Sequence, residues 1–317
     1  MPKDLILTYA TDVKFDDLKR LLVSARRFCP PDEVDIAVFI NPLGPKYHQL
    51  AEECDVELIP CNSVWKEIRN SKQMKLFYRL ILALAERFER YPQIFGKSET
   101  SNYVYRTIAY PWLHAIGQRH LAYEAFLQVR SNYRMIFISD ARDVILQGNP
   151  FRDLDETKLH VYELSTTYLN SSALKAKDTL DPDIYLDSEW VQQVFGNDVL
   201  DRLQGRSVAC CGTTIGGREA IMDYLARMTK AILRYKYRPL DQAISNMILH
   251  LEIPPEQVVF HKNGEGSVLT LEGMDEKEIH LEDGEMRFNG RATAVVHMYD
   301  RMPETDAFVK ELYPSSE

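Results

Sequence analysis

The stretch Met135-Ile136-Phe137-Ile138-Ser139-Asp140-Ala141-Arg142-Asp143-Val144 decides how the rest of the chain is read. It is a short apolar strand that ends on a carboxylate, with a second carboxylate following in the turn. An apolar run of this kind suits a buried strand of an α/β sheet, and ligands collect beyond the carboxyl ends of such strands. Two aspartates in one turn repel each other unless a cation lies between them, because like charges sharing a site raise one pKa strongly. A hard divalent cation with oxygen ligands resolves that conflict and offers positive charge to a phosphate. The competing reading is that Asp140 caps the turn while Asp143 is solvated. The local pattern leaves both open.

Outward from this stretch, strands and helices alternate. Leu5-Ile6-Leu7-Thr8-Tyr9-Ala10 reads as a buried first strand, and Phe15, Leu18, Leu21, Leu22 and Ala25 mark a helix that stops before Pro30-Pro31. A strand over 34–40, a helix over 47–54 and a strand over 56–60 follow. This order predicts an α/β fold whose mostly parallel central sheet is covered by helices on both faces. Residues 77–88 follow helical spacing and are interrupted by Arg79, Glu86 and Arg87, so they read as an amphipathic core helix and not as a membrane span. The polar break at 96–102 reads as a mobile loop, and a helix over 119–129 feeds the strand at Met135. Beyond the acidic turn come a strand over 159–164 and a polar, Asp-rich surface excursion over 165–206. A strand over 207–217 then leads into a helix over 219–235. Asp241-Gln242 opens a helix behind Pro239, and a strand over 292–296 ends on His297. No linker rich in Pro, Gly or Ser divides residues 1–317, which predicts one domain.

Bulk properties exclude several function classes. A formal net charge of -9 argues against a nucleic-acid backbone or an anionic membrane as partner, so any basic site must be a local pocket. Five cysteines (Cys29, Cys54, Cys61, Cys210, Cys211) lack CxxC or Cys/His zinc spacing, which fits a reducing compartment. With no signal-like apolar run after Met1-Pro2-Lys3-Asp4, a cytoplasmic location is expected.

Three features are candidates for one site: the Asp140/Asp143 turn, the Asp241-Gln242 helix start, and His297. A neutral imidazole with two carboxylates suits Mn²⁺ or a similar borderline ion, although a lone histidine after a strand also serves as a packed or capping residue. Arg119, Arg142 and Arg301 offer guanidinium forks for phosphate oxygens, or are surface ion-pairing residues. Small residues at Gly212 and Thr213 allow another molecule to approach the backbone, or simply make a tight strand-to-helix turn.

Taken in order, several landmarks carry a family resemblance: Arg119 on a helix, the apolar strand with Asp-Ala-Arg-Asp-Val, and Asn149-Pro150-Phe151. Further on come Cys-Gly-Thr-Thr-Ile-Gly, Asp241-Gln242 with Asn246, and Val-Val-His-Met-Tyr-Asp-Arg. The chain resembles the GT-A class of nucleotide-sugar glycosyltransferases, closest to the glycogenin-like and bacterial galactosyltransferase-like retaining enzymes. In that class an Asp-x-Asp turn and a late histidine bind Mn²⁺ and the donor diphosphate. The spacing here is Asp-x-x-Asp, which leaves open whether Asp140 or Asp143 ligates directly.

The resemblance implies a nucleotide-binding part over about 1–150, an acceptor-side part over about 151–301 and a tail over 302–317. It implies a metal-dependent transferase acting from a nucleoside-diphosphate sugar onto a hydroxyl of a saccharide or glycoconjugate, in polysaccharide biosynthesis. Metal (Mn²⁺ or Mg²⁺) would lie at Asp140, Asp143 and His297. Thr8 and Tyr9 would meet base and ribose, and Arg119 and Arg142 the sugar or diphosphate. Gly212 and Thr213 would border the sugar or the acceptor, and Asp241 and Gln242 would face the anomeric carbon. The rivals are a non-catalytic sugar-nucleotide or carbohydrate-binding protein of the same fold, and an aspartate-based phosphatase, whose Asp-x-Asp pattern Ala141-Arg142-Asp143 fits poorly.

Overall fold

The computed structural model describes residues 2–41, 44–61, 76, 80, 110, 113–175, 182–235 and 240–315. The amino-terminal part runs β1 (Lys3–Tyr9), α1 (Phe15–Phe28), β2 (Val34–Ile40), α2 (Pro45–Glu53), β3 (Glu57–Pro60). In α1 the buried apolar residues Leu18, Leu21, Leu22 and Ala25 repeat at helical spacing. Asp16 and Asp17 in its first turn and Arg26 and Arg27 in its last complement the helix dipole. It ends before Pro30-Pro31, which cannot continue the backbone ladder.

The middle of the chain holds α3 (Ala115–Val129), β4 (Tyr133–Ser139), β5 (Val144–Leu146), β6 (Leu159–Tyr168), α4 (Ser171–Lys175), α5 (Pro182–Phe195), α6 (Asn197–Arg202) and β7 (Ser207–Gly217). Then follow α7 (Arg218–Arg234), α8 (Asp241–Leu251), β8 (Val258–His261), β9 (Val268–Thr270), β10 (Ile279–Glu282), β11 (Glu285–Phe288), β12 (Arg291–Ala292), β13 (Val295–His297) and α9 (Pro303–Leu312).

The main sheet has seven strands in the order β3-β2-β1-β4-β7-β6-β8. Every strand runs in one direction except β7, which pairs antiparallel with both β4 and β6. Strand order reverses between β1 and β4, so a crevice opens at their carboxyl ends, where α/β sheets bind ligands. Residues of β4 alternate between two apolar layers. Ile136 and Ile138 pack with α3, α7 and α8, whereas Met135 and Phe137 pack with α1. Burial on both faces is why this strand reads as an unbroken apolar run.

One strand lies outside the alternating order, and one expectation needs correction. The strand ending on His297 does not belong to the parallel sheet: β13 lies in a separate three-stranded sheet, β5-β13-β9, and Thr293-Ala294 separate it from β12. The segment 165–206 is not a surface excursion. Residues 165–168 complete β6, α4, α5 and α6 follow, and Val191, Leu200 and Leu203 are buried in the main core. Its abundant aspartates mask a sparse apolar stripe that reaches inward. The helix read at 77–88 (apart from Leu80) and the loop at 96–102 lie outside the described residues.

Candidate functional site

β4 delivers Asp140 to the crevice, flanked on one side by β1 and on the other by β7. Thr8 and Thr213 both lie in register with Ser139, one residue before the acidic turn. The Asp140 amide donates to the Gly212 carbonyl at 2.8 Å, which ties the turn to β7.

What brings His297 to the same place is the small sheet. β5 starts at Val144, directly after Asp143, and β13 pairs with it antiparallel so that His297 lies opposite Val144. The Met298 amide closes the join by donating to the Asp143 carbonyl at 2.7 Å. The imidazole therefore arrives beside the carboxylates because the strand leaving the turn and the strand entering from the carboxyl-terminal part are hydrogen-bonded neighbours.

Ligand atoms of Asp140, Asp143 and His297 all lie within 4.8 Å of one another. His297 Nε2 stands 3.6 Å from Asp140 Oδ2 and 3.7 Å from Asp143 Oδ1, beyond hydrogen-bond range. That nitrogen is fully buried and has no hydrogen-bond partner among the described residues. Each carboxylate has its other oxygen held by an arginine: Arg119 Nη1 donates to Asp140 Oδ1, and Arg142 Nη2 to Asp143 Oδ2 at 2.8 Å. Two carboxylate oxygens and an orphaned imidazole nitrogen thus converge on one point, with arginines orienting both acids from behind.

A divalent cation fits this donor set, since such groupings suit Mn²⁺ or Mg²⁺. Gly212 shapes the same space: a Cβ there would stand 2.5 Å from Asp140 Oδ2 and 2.7 Å from His297 Cε1. On the far side of the ring, Cys210 Sγ lies 3.6 Å from His297 Nδ1.

Beside this cluster runs a buried charge network. Arg119 bridges Asp140 to Asp241, donating to Asp241 Oδ2 at 2.5 Å, and His120 Nε2 lies 3.4 Å from the same oxygen. Burial pushes the Asp140 carboxyl up, but Arg119 and then His297 outweigh it and hold the group well below its ordinary range. Asp241 is likewise lowered: burial opposes ionisation, while Arg119 and His120 more than offset it. Burial drives the Cys211 thiol well up, so it stays protonated between Arg119 and Gln242. Both aspartates are therefore anionic with Arg119 as their shared cation.

Asp241 and Gln242 begin α8, which Asn246 fixes to β7 by accepting from the Ala209 amide at 2.8 Å and donating to its carbonyl at 2.9 Å. Arg142 is half exposed and also faces Asp300 at 3.4 Å, while Arg301 is exposed. Tyr9 is buried against Phe39, and its hydroxyl donates to Gln118 Oε1 at 2.9 Å, so this side chain is engaged inside the protein. Thr8 and Thr213 are fully buried, and neither hydroxyl has a partner among the described residues.

Sequence reading missed His120, Cys210, Cys211 and Asp187 as site neighbours. The cysteine pair next to Gly212 was visible as a pattern without a partner. Asp187 sits in the segment read as an excursion, and nothing local marks it.

No family model matches the chain, and no curated protein matches it. Among solved structures, two of LgtC are similar, each with a TM-score of 0.50 at 12% identity over 99% of this chain and 97% of theirs. One is an active-site glutamine-to-glutamate mutant, and the other is the galactosyltransferase in complex with donor and acceptor sugar analogs. At that identity the likeness is one of backbone architecture alone: this chain has the GT-A fold.

Proposed function

We propose that the chain is a metal-dependent glycosyltransferase that moves a sugar from a nucleoside diphosphate onto a hydroxyl of a saccharide or glycoconjugate. The observation that carries this reading is the convergence of Asp140, Asp143 and His297 on one point beside the buried Arg119–Asp241 pair. Asp140, Asp143 and His297 would all hold the cation directly, because each presents an atom to the shared space. When bound there, Mn²⁺ or Mg²⁺ supplies positive charge to the diphosphate as it departs.

The residues around it do the rest. Arg119 keeps Asp140 and Asp241 ionised and fixed, so neither carboxylate must reorient when charge develops. Asp241 and Gln242, at the start of α8, present oxygen atoms to the sugar carbon as it becomes cationic. LgtC has an active-site glutamine, and Gln242 is the glutamine this chain places beside the network. Arg142 borders the diphosphate side and Gly212 the sugar, while Thr8, Tyr9 and Thr213, whose side chains are buried, support the floor of the crevice through β1 and β7. Phosphoryl transfer through an aspartyl nucleophile is the weaker reading, because Asp140 has one oxygen on Arg119 and the other toward His297.

A panel of nucleoside-diphosphate sugars assayed for nucleoside diphosphate release with Mn²⁺ tests this. Turnover should depend on the metal and vanish in Asp140→Ala and Asp143→Ala while both variants unfold cooperatively. Full activity in excess chelator, or wild-type turnover by both variants, would overturn it.

A further inference from the structure

We propose that Asp187 is a positioning residue that sets which end of the Gln242 amide faces the sugar. This deepens the glycosyl-transfer reading and rests on it. A primary amide has two nearly isosteric ends of opposite polarity, and its orientation is decided by its partners. Here Gln242 Nε2 donates to Asp187 Oδ1 at 2.7 Å. The NH₂ end is thereby committed to Asp187. The carbonyl oxygen points to the opposite side, where the Cys211 thiol lies 3.9 Å away and Arg119 stands 3.5 Å beyond that sulfur.

The consequence is electrostatic. A carbon losing a diphosphate becomes positive, so an amide oxygen aimed at it stabilises the transition state and an NH₂ group aimed at it would do the reverse. Neither neighbour moves readily. The Gln242 backbone is anchored through its main-chain carbonyl, which accepts from Asn246 Nδ2 at 2.9 Å, and Asp187 is 7% exposed on α5. Val191 of the same helix is fully buried in the main core, so the helix itself is docked. The 165–206 segment thus reaches into the site through the Asp187 side chain, and its docking is coupled to the polarity presented to the donor.

The Asn variant separates orientation from charge and from folding, because an Asn carbonyl still accepts from Gln242 Nε2 whereas Asp187→Ala leaves nothing to accept. In ¹⁵N-labelled protein, the Gln242 side-chain amide, assigned by its loss in Gln242→Glu, should exchange slowly in wild type and Asp187→Asn and rapidly in Asp187→Ala. Equal protection in Asp187→Ala would overturn the proposal. In the transfer assay, kcat should fall about tenfold or more in Asp187→Ala with donor KM within about twofold, and Asp187→Asn should recover to within about threefold of wild type. An Asn variant as slow as the Ala variant would also overturn it. A wild-type protein that turns over no nucleoside-diphosphate sugar defeats the glycosyl-transfer reading instead, and the amide-exchange comparison still decides the role of Asp187.

Discussion

Gly212 is the position where the smallest change should matter most. Its missing Cβ leaves room for the Asp140 carboxylate and the His297 ring to approach each other, and a Cβ there would force one of them to shift. Gly212→Ala should weaken Mn²⁺ binding at least about tenfold, the range seen when groups that orient ligands are disturbed. Titration followed by electron paramagnetic resonance checks this, and unchanged affinity would show that Gly212 does not shape the cation site. Arg119 is the second such residue, since it is the shared cation of two carboxylates. Arg119→Met should cost about 3–5 kcal/mol, because removing one partner leaves buried charge uncompensated. A denaturant titration measures it, and a loss below about 1 kcal/mol would mean that water reaches both acids.

At the scale of elements, the contact between α8 and β7 decides whether Asp241 and Gln242 are held in place. Asn246 makes that contact through both backbone groups of Ala209. Asn246→Ala should destabilise by about 1–3 kcal/mol, the cost of leaving buried polar groups unsatisfied, and should lower kcat more than it raises donor KM. A variant of full stability and full kcat would show that α8 is positioned by its apolar face alone. The helix itself was legible: Pro239 and Asp241 mark its start, and its apolar residues follow the helical period. Its docking was not, because one asparagine in a helix looks like any other until its partner strand is in view.

At the scale of the whole molecule, stability should depend on pH through histidines remote from the site. His160 and His261 stack 5.2 Å apart between β6 and β8, with His160 Nδ1 2.9 Å from His261 Nε2. Burial lowers the pKa of His160, and burial followed by the charge of His160 lowers that of His261. With folded values below the ordinary value of about 6.5, the unfolded chain binds more protons in that window, so stability rises with pH there and falls on acidification. His297 works in the opposite sense, since Cys210 and Asp140 outweigh burial and raise it. The comparison to make is therefore between wild type and His261→Gln: the drop in thermal midpoint from about pH 7 to about pH 5.5 should be smaller in the variant. An identical drop would exclude the pair as its source.

The sequence by itself determined the alternation of strand and helix, the buried β4, and the identity of the residues at its end. Each follows from local rules: apolar periodicity, helix start and stop residues, and the repulsion between neighbouring carboxylates. Only the tertiary structure decided that His297 reaches the turn, because that depends on β13 pairing with β5 across some 150 residues of chain. The same holds for Arg119 between two acids and for Asp187 against Gln242. Their sequence neighbours say nothing about partners, since a long-range contact is selected by how the sheets and helices pack and not by any preference expressed along the chain.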